Sequence, residues 1–235
     1  MTDRVALAEL TAEIIACRRC PRLVDWRERV AREKRRSFRD ETYWGRPLPG
    51  FGDPDARILL LGLAPAAHGG NRTGRVFTGD ASGDFLWAAL HEAGLADRPA
   101  SRRADDGLTL TDVYIAAAVR CAPPANKPTA LERDTCAPFL ERELRLLDRL
   151  VVVVALGQFG WDAALRAFDA VGYPARPRPR FGHGQEVAVG PYRLLGSYHP
   201  SQQNTFTGRL TVAMFGQVLG RVRSITDAPT GTPPG

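Results

Sequence analysis

Four cysteines, Cys17, Cys20, Cys121 and Cys136, are the side chains of this sequence best suited to hold an inorganic centre. Cys17-x-x-Cys20 sets two thiols about one helical turn apart, so both can grip the same centre. Cys121 and Cys136 must be delivered by a segment that folds back. Zinc sites more often carry a second close pair. The loose second spacing leans towards a [4Fe–4S] cluster, which takes four cysteine thiolates. Four unconnected buried thiols are the alternative, because free cysteine packs as a small hydrophobe. A cluster here would serve equally well as a purely structural tie.

Two further segments carry groups able to do chemistry. Residues 62–80 read GLAPAAHGGNRTGRVFTGD. Glycines in such a loop let a substrate approach the backbone, and bare N–H groups can hold an anion. The loop lacks both the G-K-[ST] ending of a phosphate-binding loop and the G-x-G-x-x-G fingerprint, which weakens a nucleotide-hydrolase reading. Asp80 and Ser82 compete as the cap of the helix that follows. A loop of this length is usually functional. The second segment, Tyr198-His199-Pro200-Ser201, follows an apolar strand. A histidine there can be a neutral hydrogen-bond donor or an acid. His68 and His199 both fall in strand-end loops, and the chain has only four histidines.

The elements that must position these groups follow from periodicity and turn residues. Continuous apolar runs at Arg57–Leu63, Val113–Val119 and Leu150–Leu156 predict buried strands of a parallel sheet. A pair at Glu186–Val189 and Tyr192–Tyr198 predicts a hairpin. Helices are predicted over Val5–Ile15, Arg22–Arg36, Asp84–Ala93, Pro128–Leu147 (with Thr129 as cap), Gly157–Phe168 and Thr207–Arg223. Gln202–Gly208 reads as a polar loop. Alternating strands and helices imply an α/β fold with helices on both faces of the sheet. Ligands of such sheets sit at the carboxyl ends of the strands.

The 235 residues are 44% hydrophobic and 25% charged, which is ordinary for a globular protein. One domain over residues 1–224 is expected, with a frayed Thr/Pro/Gly-rich tail over 225–235. No apolar run reaches the roughly 18 residues needed to span a bilayer. Met1–Leu10 carries Asp3 and Glu9 and has no signal-peptide core, so a cytoplasmic protein without structural disulfides is expected. The net charge of +6, mainly arginine, mildly favours a polyanion partner.

Taken together, residues 62–80, VRCAPPANKP at 119–128, HPSQQNTFTGRLT at 199–211 and the N-terminal CxxC with its two distal cysteines resemble the uracil-DNA glycosylase superfamily, family 5 or B-type. The resemblance spans nearly the whole chain. It implies a three-layer α/β/α fold around a four-stranded parallel sheet, and a [4Fe–4S] cluster on Cys17, Cys20, Cys121 and Cys136. It implies a DNA repair enzyme that excises uracil, hypoxanthine and other damaged bases from duplex DNA, with single-stranded DNA a further substrate form. A monomer that does not bind membranes is expected. A non-catalytic iron–sulfur DNA-binding or redox module, and a zinc-stabilised nucleotide hydrolase, are the competing readings.

The resemblance also implies site residues. Asp80 would position a water and stabilise the positively charged sugar, helped by backbone near Asn126. His199 would donate to O2 of the departing base, and Phe77 would stack on it. Gly62, with backbone N–H groups of Ala64 and His68, would complete the base pocket. Ser201, Gln202, Asn204 and Phe206, on the 201–208 segment, would enter the minor groove, and Arg75 and Arg209 would contact phosphates. The basic stretch with Arg29, Arg32, Lys34, Arg35 and Arg36 would add affinity, or simply be a solvated face. Leu63 and Ala116–Ala118 stand where other branches of the superfamily carry polar side chains. Their absence implies relaxed base choice.

Overall fold

The computed structural model describes residues 4–228. Its centre is a six-stranded sheet. In chain order the strands are β1 (Phe51–Gly52), β2 (Ile58–Gly62), β3 (Val113–Ala117), β4 (Val152–Leu156), β5 (Glu186–Val189) and β6 (Tyr192–Ser197). They lie side by side as β1-β3-β2-β4-β6-β5. The inner four are parallel, as expected, while β1 and β5 add an antiparallel strand at each edge. The expected four-stranded sheet is therefore the core of a larger mixed one. The outer strands do not alter the site, because both flank it rather than end at it.

The helices are α1 (Arg4–Ala16), α2 (Pro21–Glu33), α3 (Gly70–Thr73), α4 (Ala81–Glu92), α5 (Ala130–Leu146), α6 (Gln158–Ala170), α7 (Gln202–Phe206) and α8 (Val212–Thr226). Alternation along the buried strands assigns each side chain to one of two cores. Ile58, Leu60, Val113, Ile115, Val152 and Val154 pack with Trp87 and Leu90 of α4 and Phe215 and Leu219 of α8. Leu59, Leu61, Tyr114, Val153 and Ala155 pack with Leu7 of α1, Leu144 of α5 and Trp161 and Phe168 of α6. These are the three layers that the alternation of elements implies.

Helix boundaries shift where caps outweigh apolar pattern. Asp80, not Ser82, caps α4, accepting the Gly83 N–H at 3.0 Å. Thr129 and Glu132 form a reciprocal capping box on α5. The stretch expected as a polar loop, 202–208, instead holds α7, capped by Ser201, and the helix expected from Thr207 begins only at Val212 as α8, capped by Thr211. Gly208, with φ of +72°, turns the chain between them. Helix α2 stops at Glu33, and Lys34 has φ of +55°. Helix α8 runs to Thr226, past the expected start of the tail, whose residues 229–235 lie outside the described ones. Among the described residues no helix is long and apolar enough to cross a membrane.

Candidate active site

The chain leaves β2 towards β3 and returns on its other side as β4, so the sheet has a switch point beside β2. A cavity of about 250 Å³ opens there, at the carboxyl ends of β2 and β3 and of β6. Gly62 and Ala64 form its β2 wall, Ala117 its β3 wall and His199 its β6 wall, with Phe77, Asp80 and Asn126 from the intervening loops. Seven residues expected in or near the site thus share one cavity.

The backbone is built around these groups. Phe77 has φ of +50°, a left-handed conformation that a bulky side chain takes only when its surroundings impose it. Trp87 imposes it here, its indole N–H donating to the Phe77 carbonyl at 2.6 Å. Gly62 makes room, since a Cβ there would lie 2.7 Å from Phe77 Cζ. The Phe77 ring packs against His199 with centroids 5.8 Å apart. Asn126 and Ala125 also have positive φ, of 56° and 53°. They present an exposed tight turn at the cavity rim.

Asp80 accepts backbone N–H groups at the α4 start, and its other oxygen sits against Gly69, where a Cβ would lie 2.3 Å away. Burial raises its pKa above the ordinary carboxylate range, against the pull of the Gly83 and Ser82 amides. Burial lowers the His199 pKa to about 4, so its imidazole is neutral at physiological pH. A carboxylate and a neutral imidazole in one partly apolar cavity can stabilise a cation and hydrogen-bond to a departing anion.

Two expectations do not hold. Arg75 cannot reach a phosphate, because its side chain is 3% exposed and paired with Asp106 at 2.6 Å. It also donates to Ser101 Oγ and the Ala104 carbonyl and lies over the Phe51 ring, fastening the loop from inside. A buried guanidinium needs such a full set of partners, and the loop supplies it. His68, expected to complete the pocket with its backbone N–H, is not among the lining residues; its ring meets Tyr43, whose hydroxyl lies 3.0 Å from Nδ1. Pro65, Ala66 and Val76, which the sequence did not single out, and Ser82, considered there only as a cap, take part in the lining. The apolar three sit within or beside the glycine-rich motif, but no periodicity marks which loop residues turn inward.

Ser201 lines the cavity and begins α7. Asn204 reaches back to donate to the His199 carbonyl at 2.9 Å, which ties α7 to the loop that carries His199. Gln202 is exposed, and Phe206 is 81% exposed. Arg209 is exposed above the Tyr198 ring.

Away from this cavity, all four cysteines border one small interior space between α2, α5 and the loops that carry Cys17, Pro47 and Cys121. Cys17 and Cys136 pack with Leu10 and Phe139, and Cys20 and Cys121 with Leu23 and Val119. Donors point at the sulfurs: Arg27 Nη1 at Cys121 Sγ (2.9 Å), the Arg120 amide at Cys136 Sγ (3.3 Å) and Arg19 Nε at Cys17 Sγ (3.4 Å). Burial pushes the Cys121 thiol up to about 12 and raises Cys136 and Cys20. Arg27 is 2% exposed, and its Nε has no partner. Among the described residues no three side chains converge closely enough to bind a single ion. A cluster meets its thiolates at separate corners and does not require that convergence. The donor set fits such a group.

The family model described as the uracil DNA glycosylase superfamily matches residues 49–223. The chain belongs to the uracil-DNA glycosylase superfamily. A type-5 uracil-DNA glycosylase of Thermus thermophilus is 58% identical over 218 residues, covering 92% of this chain and 95% of the relative. One from Mycobacterium tuberculosis is 56% identical over 222 residues, 94% of this chain and 82% of the relative. A type-4 uracil-DNA glycosylase of Archaeoglobus fulgidus is only 29% identical over 165 residues, 70% of this chain and 66% of the relative. Within the superfamily the chain therefore groups with the type-5 branch.

Proposed function

We propose that this superfamily member is a DNA repair glycosylase. It hydrolyses the N-glycosidic bond of uracil, hypoxanthine and other damaged bases, leaving an abasic site. The observation that carries the reading is that Asp80 and His199, one from the β2 loop and one from the β6 loop, share a single base-sized cavity.

A base stacked in duplex DNA cannot enter that cavity, so it is flipped out first. Breaking the bond from C1′ to the base nitrogen leaves positive character on the sugar and negative charge on the base. The ionised Asp80 carboxylate stabilises the sugar and orients a water, helped by the turn at Asn126. The water oxygen bonds to C1′, and its proton leaves through the carboxylate. His199, being neutral, donates its N–H to the base O2 without giving up its proton. Phe77 stacks on the ring. Ala117 and Leu63 present only apolar surface to the base, which supports broad base choice.

Helix α7 enters the minor groove, with the exposed Phe206 as the apolar wedge and Arg209 on a phosphate. The chain acts as a monomer on duplex DNA and also on single strands. A [4Fe–4S] cluster is held by Cys17, Cys20, Cys121 and Cys136, and Arg27 and Arg120 offset the charge of the thiolates. Its contribution is to join the N-terminal helices to the core. Protein purified without air should carry roughly four irons per chain. Zinc in place of iron would overturn the cluster assignment.

A uracil-containing duplex incubated with the protein should acquire alkali-labile sites. Asp80→Asn should cut single-turnover cleavage roughly 100-fold or more while sparing duplex affinity. Wild-type turnover in Asp80→Asn would remove the carboxylate from the mechanism.

A further inference from the structure

Arg72 lies in α3, outside the cavity, yet every nitrogen of its guanidinium is used around the loop that carries Asp80. Nε donates to the His68 carbonyl at 2.8 Å, Nη2 to the Gly79 carbonyl at 3.0 Å and Nη1 to Glu41 at 2.6 Å. The Phe38 ring lies 3.9 Å beneath it, and the side chain is 9% exposed. His68 and Gly79 are the two ends of the fold-back that presses Gly69 against the Asp80 carboxyl. Gly79 has φ of +82°, which favours glycine, and a Cβ there would lie 2.6 Å from Arg72 Nη2 and from Thr73 Cγ2. A planar fork meeting three acceptors is a task that lysine's single ammonium cannot copy.

The geometry points to Arg72 as the positioning residue for Asp80: its fork clamps both ends of the loop and so sets the carboxyl at the cavity wall. The inference rests on the reading of Asp80 as the working carboxylate. The charged groups facing Asp80 are few. Asp84 of α4 is a like charge that raises its pKa, Arg72 is the opposite charge that lowers it, and His199 across the cavity is neutral. Burial already pushes Asp80 towards its protonated, inactive form. Arg72 works against that push. Turnover that depends on ionised Asp80 falls as pH drops through its pKa, so losing the cation moves this acid limb to higher pH.

The test compares Arg72→Gln and Arg72→Lys with the wild type and Asp80→Asn, using single-turnover cleavage of a uracil duplex from acid to neutral pH. Arg72→Gln should lower the cleavage rate roughly 10- to 100-fold, with duplex affinity within about twofold, and shift the acid limb upward. Arg72→Lys keeps the charge and loses the fork. It should retain the wild-type limb while still losing rate. An unmoved limb in a folded Arg72→Gln overturns the proposal. Should Arg72→Gln not fold, full wild-type rate in Arg72→Lys overturns it. The role of Asp80 is judged separately, since an active Asp80→Asn sinks that reading, whereas an inactive one beside unaffected Arg72 variants sinks only this one.

Discussion

At the scale of single residues, chemistry is set by what surrounds a group rather than by its type. His68 and His199 both lie in loops that follow strands, in two different motifs, yet only His199 borders the cavity. Its neutral ring is a consequence of burial, which lowers its pKa to about 4. The rate–pH profile should therefore show no histidine titration near 6.5, the ordinary value. His199→Ala should lower the cleavage rate roughly 100-fold, the usual cost of removing one donor to a developing anion. A limb near 6.5 that vanishes in His199→Ala would mean that the imidazole acts as a charged acid. Asp80 and His199 stood out in the sequence through the motifs that hold them, and both line the one cavity. The inward turn of Arg75 was not legible there, because an arginine's partners, here Ser101, Ala104 and Asp106, come from a distant loop.

At the scale of elements, the site depends on how tightly loops pack onto strand ends. Gly62 closes β2 and admits the Phe77 ring, which Trp87 of α4 holds by its carbonyl. Gly62→Ala should displace Phe77 and lower uracil cleavage roughly 10- to 100-fold, while thermal stability stays nearly unchanged. Wild-type rate in that variant would show that Phe77 placement does not matter. Strand positions followed from apolar runs, and α5 from its Thr129 cap. Helix α7 and the late start of α8 did not emerge, because Gln202–Phe206 is polar and carries no apolar period, while Thr207 looked as good a start as Thr211, the residue that caps α8. Local hydrogen bonds at the caps outweigh a weak apolar period.

At the scale of the whole molecule, buried charges fasten loops and helices to the sheet. Arg75 and Asp106 join the glycine-rich loop to residues 101–108, and Arg120 and Glu143 pair in the interior beside the cysteines. Burial alone would raise the Asp106 pKa, but the Arg75 guanidinium and backbone amides of Leu108, Arg102 and Arg103 hold it far below the usual range. Its stabilisation is therefore present above the unfolded value near 3.9 and is lost as pH falls. Asp106→Asn leaves Arg75 buried without its anion and should cost about 3–5 kcal/mol at neutral pH by denaturant unfolding. The gap to wild type should narrow below about pH 4, where the wild-type carboxyl begins to lose its advantage. A gap that does not change with pH would assign the loss to packing instead.

What this chain's sequence determined by itself is local: which segments become strands and helices, and which motifs carry a carboxylate, an imidazole and four thiols. Side-chain period and capping chemistry depend on near neighbours along the chain, so they can be read there. Only the tertiary structure decided which of those groups meet. Asp80 and His199 are brought to one cavity because β6 lies two strands from β2 in the sheet, with β4 between them. Cys136 reaches Cys17 because α5 packs against α1, and Cys121, in the loop after β3, reaches Cys20 beside Leu23 of α2. Contacts between distant segments depend on the arrangement of the whole sheet, and no spacing within one segment encodes them.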